Sequence, residues 1–246
     1  MEKIKELLGA IETHAVEKIR QLLASDIDPN GTYQGKTIFN YLISMYTRSP
    51  AFSDCVRAFV DHGLEFDDDL LLAVLLDDAA ALERQLQAQS DLVSKRYTLD
   101  TAYTPFDEVS LLHICAEFNL TACAKVLVKN GLDVNVKAGV DDHGFGGQTP
   151  IFHTVNQNGN QSKDMLLYLL AQGADLSITV QGLVWGKGKE WETLIPSVNP
   201  ISYAMMGLLP QMHRNVQVIS GVVNLLMRHA YGLDYAPRNI PNEYLS

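Results

Sequence analysis

Carboxylates and imidazoles are the side chains of this chain suited to acid–base work or to holding a divalent cation. Those on candidate loops converge as one set, Asp141, Asp142, His143, His153, Glu192 and His213. No His-x-x-x-His, Cys-x-x-Cys or Glu-x-x-His pairing places any of them at metal-ligand spacing. His153 falls inside a predicted helix, where a lone histidine is more often a satisfied structural residue. Within this set His143, His153, Glu192 and His213 define a metal-dependent or small-molecule alternative. The cysteines, Cys55, Cys115 and Cys123, lie on predicted helix faces and read as small buried hydrophobes, which argues against a thiol nucleophile. Gly182-x-x-x-Gly186-Lys187 superficially matches a phosphate loop. It is one residue short between the glycines, lacks Ser or Thr after Lys187, and does not follow a buried strand leading to a helix, so that reading is rejected.

The elements that must position these residues are helical. In Ser110 to Lys137, Leu112, Cys115 and Ala116 share one helix face, and Ser110 suits the N-cap. After the polar break Glu117-Phe118-Asn119, Cys123, Val126 and Leu127 repeat the spacing, and Gly131 can end the second helix. Such a unit cannot bury its apolar stripe alone and requires neighbours.

Ser110-Leu111-Leu112-His113-Ile114-Cys115-Ala116 followed by Asn130-Gly131-Leu132-Asp133-Val134-Asn135 resembles an ankyrin repeat, and so does Thr149-Pro150-Ile151-Phe152 closing on Gly173-Ala174-Asp175-Leu176. The resemblance implies that His113 is structural and bridges adjacent repeats. Phe152 stands where the family has histidine. Weaker units run in the same register, giving units at roughly 1–30 (an N-terminal cap), 37–66, 69–93, 109–137, 148–177 and 199–235, with an irregular tail at 236–246 carrying Pro237 and Pro241. In the third unit Asp69 is the expected N-cap; in the fifth, Thr149 caps a helix that Pro150 opens. Ser94 to Asp107 reads as a polar loop. Extra residues sit between helices around Tyr46 to Pro50, near Asn158-Gly159-Asn160, and from Leu208 to Arg214. The expected architecture is a single all-α ankyrin-repeat solenoid of about six helix-turn-helix units.

Two connections exceed a plain hairpin: Lys137 to Gln148 and Ser177 to Val198. By the resemblance they project as fingers beside a concave face where partners bind. Trp185 and Trp191 flank a Gly-Lys-Gly-Lys turn in the second finger, which reads as a β-hairpin near residues 183–193. Each tryptophan is either a recognition hot spot or a fastener packed on the solenoid.

A net charge of −10 disfavours nucleic acid and favours a basic partner surface. The acidic runs Glu65 to Asp69 and Asp77-Asp78 read first as a solvated, helix-capping face. No apolar run reaches bilayer length, and the first residues alternate charges without the apolar core of a signal peptide. The expectation is a cytoplasmic, non-enzymatic protein-interaction module with no cofactor, contacting another protein through Asp141, His143, Phe145, Trp185, Lys187 and Trp191.

Overall fold

The computed structural model describes residues 2–235 other than Asp26, Asn158, Asn160, Pro210 and Gln211. The expected tail at 236–246, Asn158 and Asn160 of the fifth unit's insertion, and Pro210-Gln211 of the sixth lie outside the described residues.

The helices come in consecutive pairs: α1 (Glu2–Glu12) with α2 (Val16–Leu23), α3 (Ile38–Ser44) with α4 (Phe52–Asp61), and α5 (Asp69–Leu75) with α6 (Ala79–Ala88). After these come α7 (Leu111–Phe118) with α8 (Thr121–Lys129), a 3-10 turn Pro150–Thr154 with α9 (Lys163–Ala171), and α10 (Pro200–Met206) with α11 (Val216–Tyr231). Apolar residues at three- and four-residue spacing put Leu7, Ile11, Ile19, Cys55, Val56, Phe59, Leu112, Cys115, Cys123 and Leu127 in one core cluster that continues to Leu226. Among the described residues, no helix is long and apolar enough to cross a membrane.

The chain is nevertheless not all-α. About half of it is helical, and three two-stranded antiparallel ribbons among the described residues make the class mixed α/β. β1 (Thr32–Tyr33) pairs with β2 (Lys36–Thr37), β3 (Arg96–Leu99) with β4 (Phe106–Ser110), and β5 (Val180–Trp185) with β6 (Thr193–Val198). The second ribbon replaces the polar loop expected from Ser94 to Asp107. Its strands are short, but Tyr97, Phe106 and Val109 bury their side chains, and that burial pairs the strands despite the polar residues between. The hairpin expected near 183–193 is present and longer, running from Val180 to Val198. Each ribbon leads straight into the first helix of a pair: Thr37 caps α3, Ser110 precedes α7, and Asn199 caps α10 through Ile201 and Ser202.

Two local expectations are corrected. Asp68, not Asp69, caps α5: its backbone is non-helical and its carboxylate accepts from the Leu71 N–H at 3.0 Å, whereas Asp69 is already helical. Pro150 opens a single 3-10 turn rather than an α-helix, and the Thr149 hydroxyl makes no cap hydrogen bond and is buried without a partner among the described residues.

Successive pairs are clasped by asparagine. Asn30 donates to the Gly63 carbonyl at 3.0 Å and accepts from the Glu65 N–H at 2.8 Å. Asn135 repeats this on Gly173 at 3.1 Å and Asp175 at 2.8 Å. In both cases an aspartate two residues earlier accepts from the asparagine N–H at 2.9 Å and fixes the turn.

Candidate functional site

The three long connections join into one layer. Arg96 donates to the Glu108 and Lys137 carbonyls, and the Gly139 N–H donates to Asp107. The Gly146 N–H, in the first finger, donates to the Gly182 carbonyl on β5 at 2.8 Å. A side chain at Gly182 would meet Phe145 at 2.9 Å, so the glycine lets the two fingers touch.

Beneath this layer lies a cavity of about 520 Å³. The finger side supplies Tyr103 and Thr104 from the β3–β4 connection and Trp185 from the end of β5. The helical side supplies Glu117 at the end of α7, Phe152 and His153 on the 3-10 turn, Asn156 and Gln157 after it, and Tyr203 on α10. Two inter-helix connections close it: Tyr46, Thr47 and Arg48 between α3 and α4, and Met212, His213 and Arg214 between α10 and α11.

Glu117 is the electrostatic centre. Arg48 Nε donates to Glu117 Oε1 at 2.7 Å, and His153 Nδ1 lies 2.8 Å from Oε2. Arg48 Nη1 donates to the carbonyls of Met45 and Thr47, while its guanidinium lies 4.6 Å over the Phe118 ring. Phe118 in turn stacks on Phe52 at 4.0 Å, which holds the guanidinium in place. Gln157 donates to the backbone carbonyls of both Glu117 and His153. Burial alone would push the Glu117 carboxyl up, but the adjacent Arg48 charge and the His153 hydrogen bond hold it below the usual carboxylate range. With Glu117 ionised, His153 donates from Nδ1. Its Nε2, like Gln157 Oε1 and Asn156 Oδ1, is buried with no partner among the described residues.

The aromatic wall is hydrogen-bonded as well. Trp185 Nε1 donates to the Tyr203 hydroxyl at 2.9 Å, which pairs with Thr104 Oγ1 at 2.7 Å. Burial pushes the Tyr203 phenol up, keeping it neutral. Tyr103 meets Trp185 edge-on at 5.3 Å, and the Arg214 guanidinium lies 5.4 Å over its ring.

The structure disperses much of the expected partner surface. Asp141 accepts from the N–H groups of His143 and Phe145, each at 3.0 Å, and so shapes its own loop. Lys187 lies 3.6 Å from Asp107 and 3.9 Å from Asp141. Phe145 is half-buried against Gly182, and Trp185, only 7% exposed, is a fastener. Trp191 is 46% exposed and, with His143 and Lys187, still faces outward.

The four residues of the metal alternative are not assembled. His153 and His213 line the same cavity, but the Glu192 carboxylate accepts from the Gly188 N–H at 2.6 Å within its own turn, and His143 sits on the first finger. Among the described residues, no group of three or more His, Cys, Asp or Glu side chains could hold a metal ion. His113 is buried and bridges two units. Its Nδ1 accepts from the Ser110 N–H at 3.2 Å, so Nε2 donates to the Gln148 carbonyl at 2.9 Å. Burial keeps it neutral, with its pKa well below the ordinary value.

Sequence reasoning missed Arg48, Glu117, Tyr103, Tyr203 and Arg214 as site residues. A signal existed: Arg48 and Arg214 lie in two of the three inter-helix insertions, and Glu117 is the one acidic residue on the apolar α7. Compared with known proteins, the chain matches no family model and no curated protein.

Proposed function

We propose that this protein is a non-enzymatic binding module that takes a small molecule into the cavity beneath its fingers. One observation carries the reading: the Arg48–Glu117–His153 cluster is buried at the wall of a cavity of about 520 Å³. Ligand sites are commonly about 300–1,000 Å³, with a few convergent polar groups on apolar walls. Desolvating an ion pair costs more than apolar packing of the same space, so a purely structural role is a poor reason to place one there. The thiols do not favour catalysis: burial pushes Cys55 up to about 12 and raises Cys115 and Cys123. Reduced, buried cysteines suit a cytoplasmic location, which belongs to the same proposal. So does a relation to ankyrin repeats, supported by the matching clasps of Asn30 and Asn135.

The test is native mass spectrometry of gently purified protein together with a thermal-shift screen of small metabolites. Met212→Trp, at the half-buried cavity wall, serves as a plugged control whose folding is checked by circular dichroism. A ligand held by the parent chain and lost from the folded plugged variant supports the reading. Equal binding by both, or none by either, overturns it.

A second reading, recognition of another protein through the fingers, rests on Trp191 and Leu194, 46% and 47% exposed on the second finger. A Trp191→Ala, Leu194→Ala double variant tests it, because Trp185→Ala would instead dismantle the finger. A partner retained equally by the folded double variant would remove this reading.

A further inference from the structure

Resting on the cavity reading, we infer that the ligand is an anion, a carboxylate or phosphate monoester carried on a ring, with Arg48 and Arg214 holding the charge. The charge inventory is the first ground. The chain carries a net −10, yet the cavity lining holds two arginines and one carboxylate, and that carboxylate is shared with His153. A positive interior in an acidic protein attracts anions that the rest of the surface repels.

The second ground is unused hydrogen-bonding capacity. Arg48 commits Nε and Nη1, while Nη2 has no partner among the described residues. Arg214 commits only Nε, to the Asn156 carbonyl at 3.2 Å, and has no carboxylate partner among them. Its Nη1 and Nη2 remain a vacant planar fork, the geometry that matches carboxylate or phosphate oxygens two at a time. Neither arginine is loose: Arg48 is set over Phe118 and Arg214 over Tyr103, so little side-chain freedom is lost when an anion arrives.

The third ground is the aromatic part of the lining. Tyr103, Trp185, Tyr203 and Phe152 present aromatic surface whose polar tips are largely consumed internally, Trp185 Nε1 and the Tyr203 hydroxyl on each other and on Thr104. That wall offers stacking and apolar contact rather than hydrogen bonds, which suits a ring. Glu117, which lines the cavity between Arg48 and His153, repels a second anionic group there, so the ligand carries its charge at one end.

The test uses phenyl phosphate, benzoate, inorganic phosphate and the neutral benzamide as probes, titrated calorimetrically into the full chain, Arg214→Gln, Arg214→Lys and the plugged Met212→Trp. The expected result is saturable binding of phenyl phosphate or benzoate that weakens with added salt, with benzamide and inorganic phosphate much weaker. Arg214→Gln should lose about tenfold or more in affinity, and Arg214→Lys should recover only part, because an ammonium keeps charge without the fork. Benzamide binding as tightly as benzoate, or anion binding unchanged in Arg214→Gln, overturns the inference while leaving the cavity reading intact. Anion binding that survives in Met212→Trp places it outside the cavity and also overturns it. Failure of every probe overturns it too, and a metabolite retained in the native mass spectrum would then show the cavity reading standing without it.

Discussion

Arg48 and Glu117, 69 residues apart in the chain, meet in an ion pair at 2.7 Å with their side chains 8% and 9% exposed. The contact carries the α3–α4 connection past the third helix pair to the end of α7. It therefore ties the second and fourth pairs directly and builds one wall of the cavity.

Removing one partner of this pair strands the other charge. Arg48→Met should cost about 3–5 kcal/mol, measured by urea unfolding. Arg48→Met combined with Glu117→Gln should cost less than the two single changes added together. Strict additivity would show that the pair is not coupled.

The pH dependence follows from buried imidazoles. His14 is held down to about 4, by burial and then by the Arg48 charge, from an ordinary 6.5. Between those values the unfolded chain binds the proton and the folded one does not, so stability rises with pH there. It is complete above about 6.5 and drains as pH falls toward 4, with His113, also lowered by burial, adding to the slope. Glu117, held low, adds a further loss that begins as pH falls below its ordinary 4.5. Thermal midpoints of His14→Gln across this window should show a shallower slope than the parent, and an equal slope would remove His14 as a source.

Thr149→Val separates two accounts of one hydroxyl. A helix cap would cost about 1 kcal/mol on removal. The Thr149 hydroxyl instead lies buried without a partner among the described residues, so the isosteric valine should leave the thermal midpoint unchanged or raise it. A clear drop would reveal a hydrogen bond.

Tyr203→Phe should destabilise by about 1–3 kcal/mol, because Trp185 Nε1 and Thr104 Oγ1 each lose a buried partner. Tryptophan fluorescence should report the change through Trp185, and an unaltered spectrum with an unaltered midpoint would contradict the network.

Leu127, fully buried on α8, is a simple packing residue. Leu127→Ala should cost about 2–5 kcal/mol in urea unfolding. An unchanged midpoint would place it outside the core.

Local residue patterns determined the helix pairs other than the fifth, where Pro150 opens a 3-10 turn, together with the two fingers and the second-finger hairpin. Helical spacing, N-caps and helix-ending glycines act over a few residues, so Leu112, Cys115, Cys123, Leu127 and Gly131 declare their roles without the rest of the chain. Only the tertiary structure decided the ribbon at Arg96–Ser110, whose short strands pair because Tyr97, Phe106 and Val109 find a core to enter. It likewise decided the cavity. Arg48, Tyr103, Glu117, His153, Trp185, Tyr203 and Arg214 share no local period. Their meeting depends on how successive helix pairs stack and where each insertion ends, and an ion pair spanning 69 residues leaves no mark on the spacing of its neighbours.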